Sequence, residues 1–155
     1  MPRTSTKSSV KAGRRERTYR LDDQVGFLLR RAYQRASANL IDQIGAHDLT
    51  PPQFATLARL YERGKVSQNL LGRLVAMEPA NIRDVVQRLK KRRLISTERD
   101  PTDARLILVS LTAPGRSLMQ ELLPVEMDCT SKTLAPLDQN ERKFLYDLLR
   151  RLAEG

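Results

Sequence analysis

From Leu21 onward, apolar residues return at three- and four-residue steps: Leu21, Val25, Leu28, Leu29, Ala32, Ala36, Leu40 and Ile44 make one stripe. That spacing follows the roughly 3.6-residue turn of an α-helix and predicts one long amphipathic helix. It should end between Gly45 and Asp48. Thr50-Pro51-Pro52-Gln53 then combines a capping box with proline at the first helical position. A second helix is expected from about Pro51 to Glu62, with Gly64 closing it. Ser67 is placed to cap a short helix carrying Leu70, Leu71, Leu74 and Val75. After a tight turn at Met77 and Glu78, Pro79 opens a helix with Ile82, Val85, Val86 and Leu89 on one face. Two short helices joined so closely form a helix-turn-helix unit.

The texture changes after Leu94. Leu94 to Thr97 and Leu106 to Leu111 are β-prone, and Arg99-Asp100-Pro101-Thr102-Asp103-Ala104 between them has turn chemistry, so a hairpin is expected. Thr112 should cap a helix bearing Leu118, Met119, Leu122 and Leu123, which Pro124 should kink or interrupt. A last helix opens at Asp138-x-x-Glu141 and carries Phe144, Leu145, Leu148, Leu149 and Leu152. The chain reads as mainly α with a small β-hairpin wing: a winged helix-turn-helix over residues 49–112, flanked by helical regions at 19–48 and 113–155.

Residues 1–18 break this pattern. They are rich in Ser, Thr, Lys and Arg with only Met1 and Val10 as bulky apolar residues, too few to offset the entropy of ordering. This segment is read as a mobile basic arm. The chain carries a formal charge of +10, which points to a polyanionic partner. The charge is concentrated: residues 1–20 hold seven basic residues against Glu16, and residues 83–105 hold eight against four acids. Those two windows account for the whole net charge.

No apolar run follows the basic start and none reaches the roughly 20 residues of a membrane span, so a soluble, cytoplasmic protein is expected. A lone Cys129 has no partner for an internal disulfide. One His and one Cys far apart offer no metal-ligand spacing, and no cofactor is expected. There is no Gly-rich phosphate loop and no nucleophile elbow, so an enzyme is not expected.

In a helix-turn-helix the second helix enters the major groove, so one face must be apolar and the other must carry base-reading and phosphate-binding groups. Residues 79–93 divide this way. Asn81 and Arg83, near the helix start, are candidate base readers, since Asn pairs with adenine and Arg with guanine in bidentate fashion; Gln87 and Arg88 follow one turn later. Asn81 is equally readable as an ordinary helix-start residue. Ser67, Gln68, Lys90 and Lys91 suit phosphate contacts, which set affinity and register. Arg105 follows the acidic turn and is placed to enter a minor groove, with Asp103 orienting its guanidinium or bracing a neighbour.

These motifs resemble those of the MarR family of bacterial transcriptional regulators from Leu21 onward. The similarity is most specific from Arg99-Asp100-Pro101-Thr102-Asp103-Ala104-Arg105 into Val109-Ser110-Leu111-Thr112-Ala113-Pro114-Gly115, and extends to Leu49-Thr50-Pro51-Pro52-Gln53-Phe54 and to Val85 to Leu94. The resemblance implies a homodimer whose terminal helices intertwine, a repressor of a pseudo-palindromic operator, and release by a small anionic ligand, an aromatic acid or acyl-CoA. It implies Arg105 as the minor-groove arginine, with Asn81, Arg83, Gln87 and Arg88 in the major groove. Two departures stand out: Arg93 occupies a position where Gly often ends the recognition helix, and Thr97 one where Arg often follows. The basic arm also exceeds the usual lead, either to wrap DNA or as a solubilising tail.

A ligand pocket is expected where the first long helix, the Pro51 helix and the DNA-binding unit meet. Arg30, Arg31, Tyr33, Arg35, His47 and Tyr61 are the candidate polar groups. Each also has a plain reading: the arginines as solvated helix positions, His47 as a helix-end residue. Cys129 has only Lys132 as a nearby cation, an unfavourable setting for a reactive thiol. The competing reading of the whole chain is a constitutive or architectural DNA-binding protein without a small-molecule ligand.

Overall fold

The computed structural model describes residues 18–155, so all of the expected basic arm except Thr18 lies outside the described residues. A 3-10 turn at Leu21–Asp23 leads into α1 (Val25–Ile44), and a second at Gly45–His47 ends it, with Asp48 in the left-handed region at φ 53°. Helix α2 (Pro51–Arg63) starts with the full capping box: the Thr50 side chain accepts from the Gln53 N–H, and the Thr50 N–H donates to the Gln53 side chain. Gly64 closes it at φ 74°. Next come β1 (Val66–Ser67), α3 (Gln68–Leu74), α4 (Pro79–Lys91), β2 (Ile95–Arg99), β3 (Ile107–Leu111), α5 (Ala113–Thr133) and α6 (Gln139–Glu154). The Ser67 and Thr112 hydroxyls cap α3 and α5 by accepting from Leu70 and Gly115 N–H groups.

The wing is a three-stranded antiparallel sheet in the order β1-β3-β2 rather than a bare hairpin. Val66 and Thr97 both stand opposite Val109, which is wholly buried at the sheet centre. A two-residue strand is too short to show alternation, so β1 leaves no pattern in the sequence. Of the two outcomes expected at Pro124, interruption does not occur: α5 runs through it. The proline removes the N–H that would reach the Gln120 carbonyl, but both residues are exposed, so water can satisfy that oxygen.

Ile44, Leu49, Phe54, Leu57, Leu60, Leu71, Ile82, Val86, Leu89 and Met119 form the core, bringing the end of α1, helices α2 to α4 and the start of α5 around one centre. Two glycines allow close approach there. A Cβ on Gly72 would lie 3.0 Å from the Ile82 side chain, where α3 meets α4, and one on Gly115 would lie 2.0 Å from the Leu94 carbonyl oxygen. The amphipathic stripe is used over the second half of α1, with Ile44 buried and Ala36 and Leu40 half-buried, whereas Leu21, Val25, Leu28 and Leu29 are exposed. Helix α6 buries none of its residues. No helix among the described residues is long and apolar enough to cross a membrane.

Candidate nucleic-acid interface

Helix α4 is held by its apolar face, with Ile82, Val86 and Leu89 buried and Val85 half-buried. At about 100° per residue, the stripe opposite these is Ala80, Asp84, Gln87 and Lys91, all exposed. Asn81 and Arg88 flank it on the side of α2, where they line a groove of about 290 Å³ with Thr50, Gln53 and Asp84. Arg83 flanks it on the other side and shares a cleft of about 270 Å³ with Ser67, Gln68, Asn69 and Arg105. The helix start and the wing tip, far apart in sequence, thus border one cleft through Arg83 and Arg105.

The wing turn is braced from within. The Asp100 carboxylate accepts from the Thr102 N–H, the Thr102 hydroxyl and the Asp103 N–H at 2.7, 2.6 and 3.0 Å. These bonds, those from Thr102 first, lower its pKa. Asp103 accepts from Nε and Nη2 of Arg105 at 3.0 and 3.1 Å and from its backbone N–H at 3.1 Å. The side-chain bonds lead in pulling the Asp103 pKa down and pushing that of Arg105 up. Arg105 remains 90% exposed while Asp103 is only 34% exposed, so the carboxylate anchors a guanidinium that projects into solvent.

The basic run at the end of α4 is not a uniform charged face. Arg92 reaches across the surface, its guanidinium donating to the carbonyls of Asp48 and His47, both at 2.7 Å. It satisfies carbonyls at the end of the 3-10 turn that follows α1 and ties α4 to it. Lys90 donates to the Thr97 hydroxyl at 2.6 Å, so the residue standing in place of an arginine positions a lysine. Arg93 takes φ 59°. With Arg93 N–H on Lys90 and Leu94 N–H on Leu89, it completes a left-handed helix exit that glycine would make without the roughly 1 kcal/mol steric cost.

A cavity of about 430 Å³ lies between α1, α2 and the turn from α3 to α4, lined by Tyr33, Ala36, Ser37, Leu40, Pro51, Pro52, Phe54, Ala55 and Val75 to Met77. Of the six ligand candidates from the sequence, only Tyr33 lines it. Arg30, Arg31 and Arg35 are exposed elsewhere on α1, Arg31 packing over the Phe27 ring at 6.0 Å. His47 Nε2 lies 3.8 Å from Glu121, and the Tyr61 ring sits under Arg116. Helical phase turns Arg31 and Arg35 away from the face shared by Tyr33, Ala36, Ser37 and Leu40, whereas Arg30 is in phase with that face but lies a turn before the cavity begins at Tyr33. Cys129 is buried, its thiol donating to the Asn39 carbonyl at 3.2 Å. Burial pushes its pKa up, against thiolate chemistry.

A family model described as MarR family matches residues 47–106, the span from the end of α1 to the wing tip. The chain is 36% identical over 137 residues to the HTH-type transcriptional repressor NicR of Pseudomonas putida, covering 88% of this chain and 87% of that one. A probable transcriptional regulator from Pseudomonas aeruginosa is similar at TM-score 0.80 and 49% identity, over 86% of this chain and 99% of that one. BpsR of Bordetella bronchiseptica, whose DNA binding is regulated by 6-hydroxynicotinic acid, is similar at TM-score 0.84 and 38% identity, over 88% and 98% of the two chains.

Proposed function

The chain belongs to the MarR family, and from that premise we propose that it represses transcription by binding a pseudo-palindromic operator as a homodimer and releases it when a small aromatic acid enters the cavity beside Tyr33. The observation that carries the DNA reading is the meeting of Arg83 and Arg105 in one cleft, which aims helix α4 and the wing at the same duplex. In this reading Asn81, Arg83, Gln87 and Arg88 meet base edges in the major groove. Ser67, Gln68 and Lys91 hold phosphates, and Asp103 presents Arg105 to the adjacent minor groove.

The dimer follows from what one chain leaves uncovered. Phe144, Leu148 and Leu152 of α6 are 70%, 48% and 64% exposed, as Leu21 and Val25 before and within α1 are 53% and 65%. A 16-residue helix with no fully buried residue is marginal in water by itself, and an exposed apolar face is the kind that a second copy covers. A two-fold dimer would set two α4 helices roughly 34–36 Å apart, one turn of duplex.

The ligand half of the reading rests on the cavity. Its volume of about 430 Å³ suits a single aromatic ring rather than an acyl-CoA. Its walls are apolar apart from the Tyr33 and Ser37 hydroxyls, the side-chain donors available to a carboxylate there. BpsR, which answers to 6-hydroxynicotinic acid, supplies the probe. Selection of bound duplexes from a random pool should return two inverted half-sites, and 6-hydroxynicotinic acid should then weaken binding to that site by roughly 5- to 150-fold in fluorescence anisotropy. Recovery of no shared sequence would favour the architectural alternative; an unchanged affinity with the acid present would overturn the ligand assignment.

A further inference from the structure

Asp84 is an acid at the centre of a basic surface. It lies on the outward stripe of α4 with Ala80, Gln87 and Lys91, opposite the buried Ile82, Val86 and Leu89. Arg83 and Arg88 stand to either side. Arg88, one helical turn on, is spaced for an ion pair with it. Yet among the described residues Asp84 takes part in no ion pair within 4 Å. A carboxylate so placed does not serve general attraction to DNA, because it opposes every phosphate and cannot donate a hydrogen bond. It has one favourable use in a major groove, which is to accept from an exocyclic amino group. Cytosine N4 is the donor that carboxylates read there, whereas guanine offers only the O6 and N7 acceptors, which repel it.

We infer that Asp84 is a specificity-determining residue that selects cytosine at one position in each half-site through its N4 amino group and excludes guanine there. Ala80, four residues before it on the same stripe, has no side chain long enough to keep the helix from the groove floor, so Asp84, although short, can reach a base edge. Gln87, three residues beyond, supplies both a donor and an acceptor and suits an adjacent adenine. The stripe thus sets a negative reader beside a neutral one, between flanking arginines whose positive charge offsets the carboxylate's repulsion of the duplex. The inference rests on the regulator reading above and adds to it a residue that lowers overall affinity in exchange for discrimination.

The test is three parallel selections from one random duplex pool, with the full-length protein, Asp84→Ala and Asp84→Asn, each variant first shown to keep its helical circular dichroism. The native protein should enrich cytosine at one symmetric pair of positions, by about tenfold over guanine, the size of a typical single-position discrimination. Asp84→Ala should lose that preference while binding random duplex more tightly. Asp84→Asn should move it towards adenine, since an amide reads that base in bidentate fashion. Three identical sequence preferences, with affinity raised equally for all duplexes, would make Asp84 an ordinary surface charge and overturn the inference while leaving the regulator reading intact. Absence of any preference in the native protein would remove both.

Discussion

Arg105 combines two properties that usually oppose each other, for it is almost fully exposed and yet held by three hydrogen bonds to one carboxylate. Exposed ion pairs contribute little to folding stability, so the pairing is better read as preorganisation of a side chain that would otherwise lose rotamer freedom on binding. Arg105→Ala should weaken binding to the selected duplex by about 1–3 kcal/mol while the protein stays folded, with little change in melting temperature; an unchanged isotherm would remove Arg105 from the interface. The brace has a defined pH range. Asp100 and Asp103 both have pKa values lowered from 3.8, so the open wing binds protons more readily than the closed one. Their contribution is complete above the ordinary aspartate range and is lost as pH falls through the lowered values. The amide resonances of Thr102 and Arg105 should therefore shift with midpoints below 3.8 and stay constant between pH 5 and 8. A midpoint above the ordinary value would contradict the bonding described.

Elements show which features a sequence can reveal. The capping box at Thr50 and Gln53, the Ser67 and Thr112 caps, and the box at Asp138 and Glu141 all appear as written, because capping depends on residues within one turn. The stripe of α4 was legible for the same reason. Features that depend on contact between distant segments were not: β1 exists only through β3, Arg92 bonds carbonyls 44 and 45 positions away, and the cavity face of α1 is defined by where α2 lands. Gly115 lies between these cases, visible as a motif but explained only by the Leu94 carbonyl above it. That oxygen also accepts from the Thr112 N–H at 3.1 Å and cannot retreat. Gly115→Ala should destabilise the protein by about 2 kcal/mol through overpacking, read as a lower midpoint in urea at constant slope. A stability equal to native would show that the junction between the wing and α5 yields more easily than its geometry indicates.

At the scale of the whole molecule, one chain divides into a packed centre and an uncovered periphery. The core joins the end of α1 to the winged unit, while α6 and the start of α1 present Phe144, Leu148, Leu152 and Val25 to solvent. This division suits a dimer built on the periphery and a reading head hung from it. Leu148→Glu with Leu152→Glu should give a particle of one chain mass in sedimentation and a large loss of duplex affinity, although neither residue faces DNA; a persistent dimer would place the interface elsewhere. The cavity beside Tyr33 lies between α1 and the winged unit, and in the proposed reading a ligand there changes how one is set against the other. The central claim, a regulator that reads sequence, is tested most directly by the ratio of dissociation constants for the selected duplex and for a scrambled duplex of equal composition, both at about 150 mM salt. A sequence-reading regulator should give a ratio of roughly 10³ or more. A ratio near one would mean that the basic surface binds DNA without reading it.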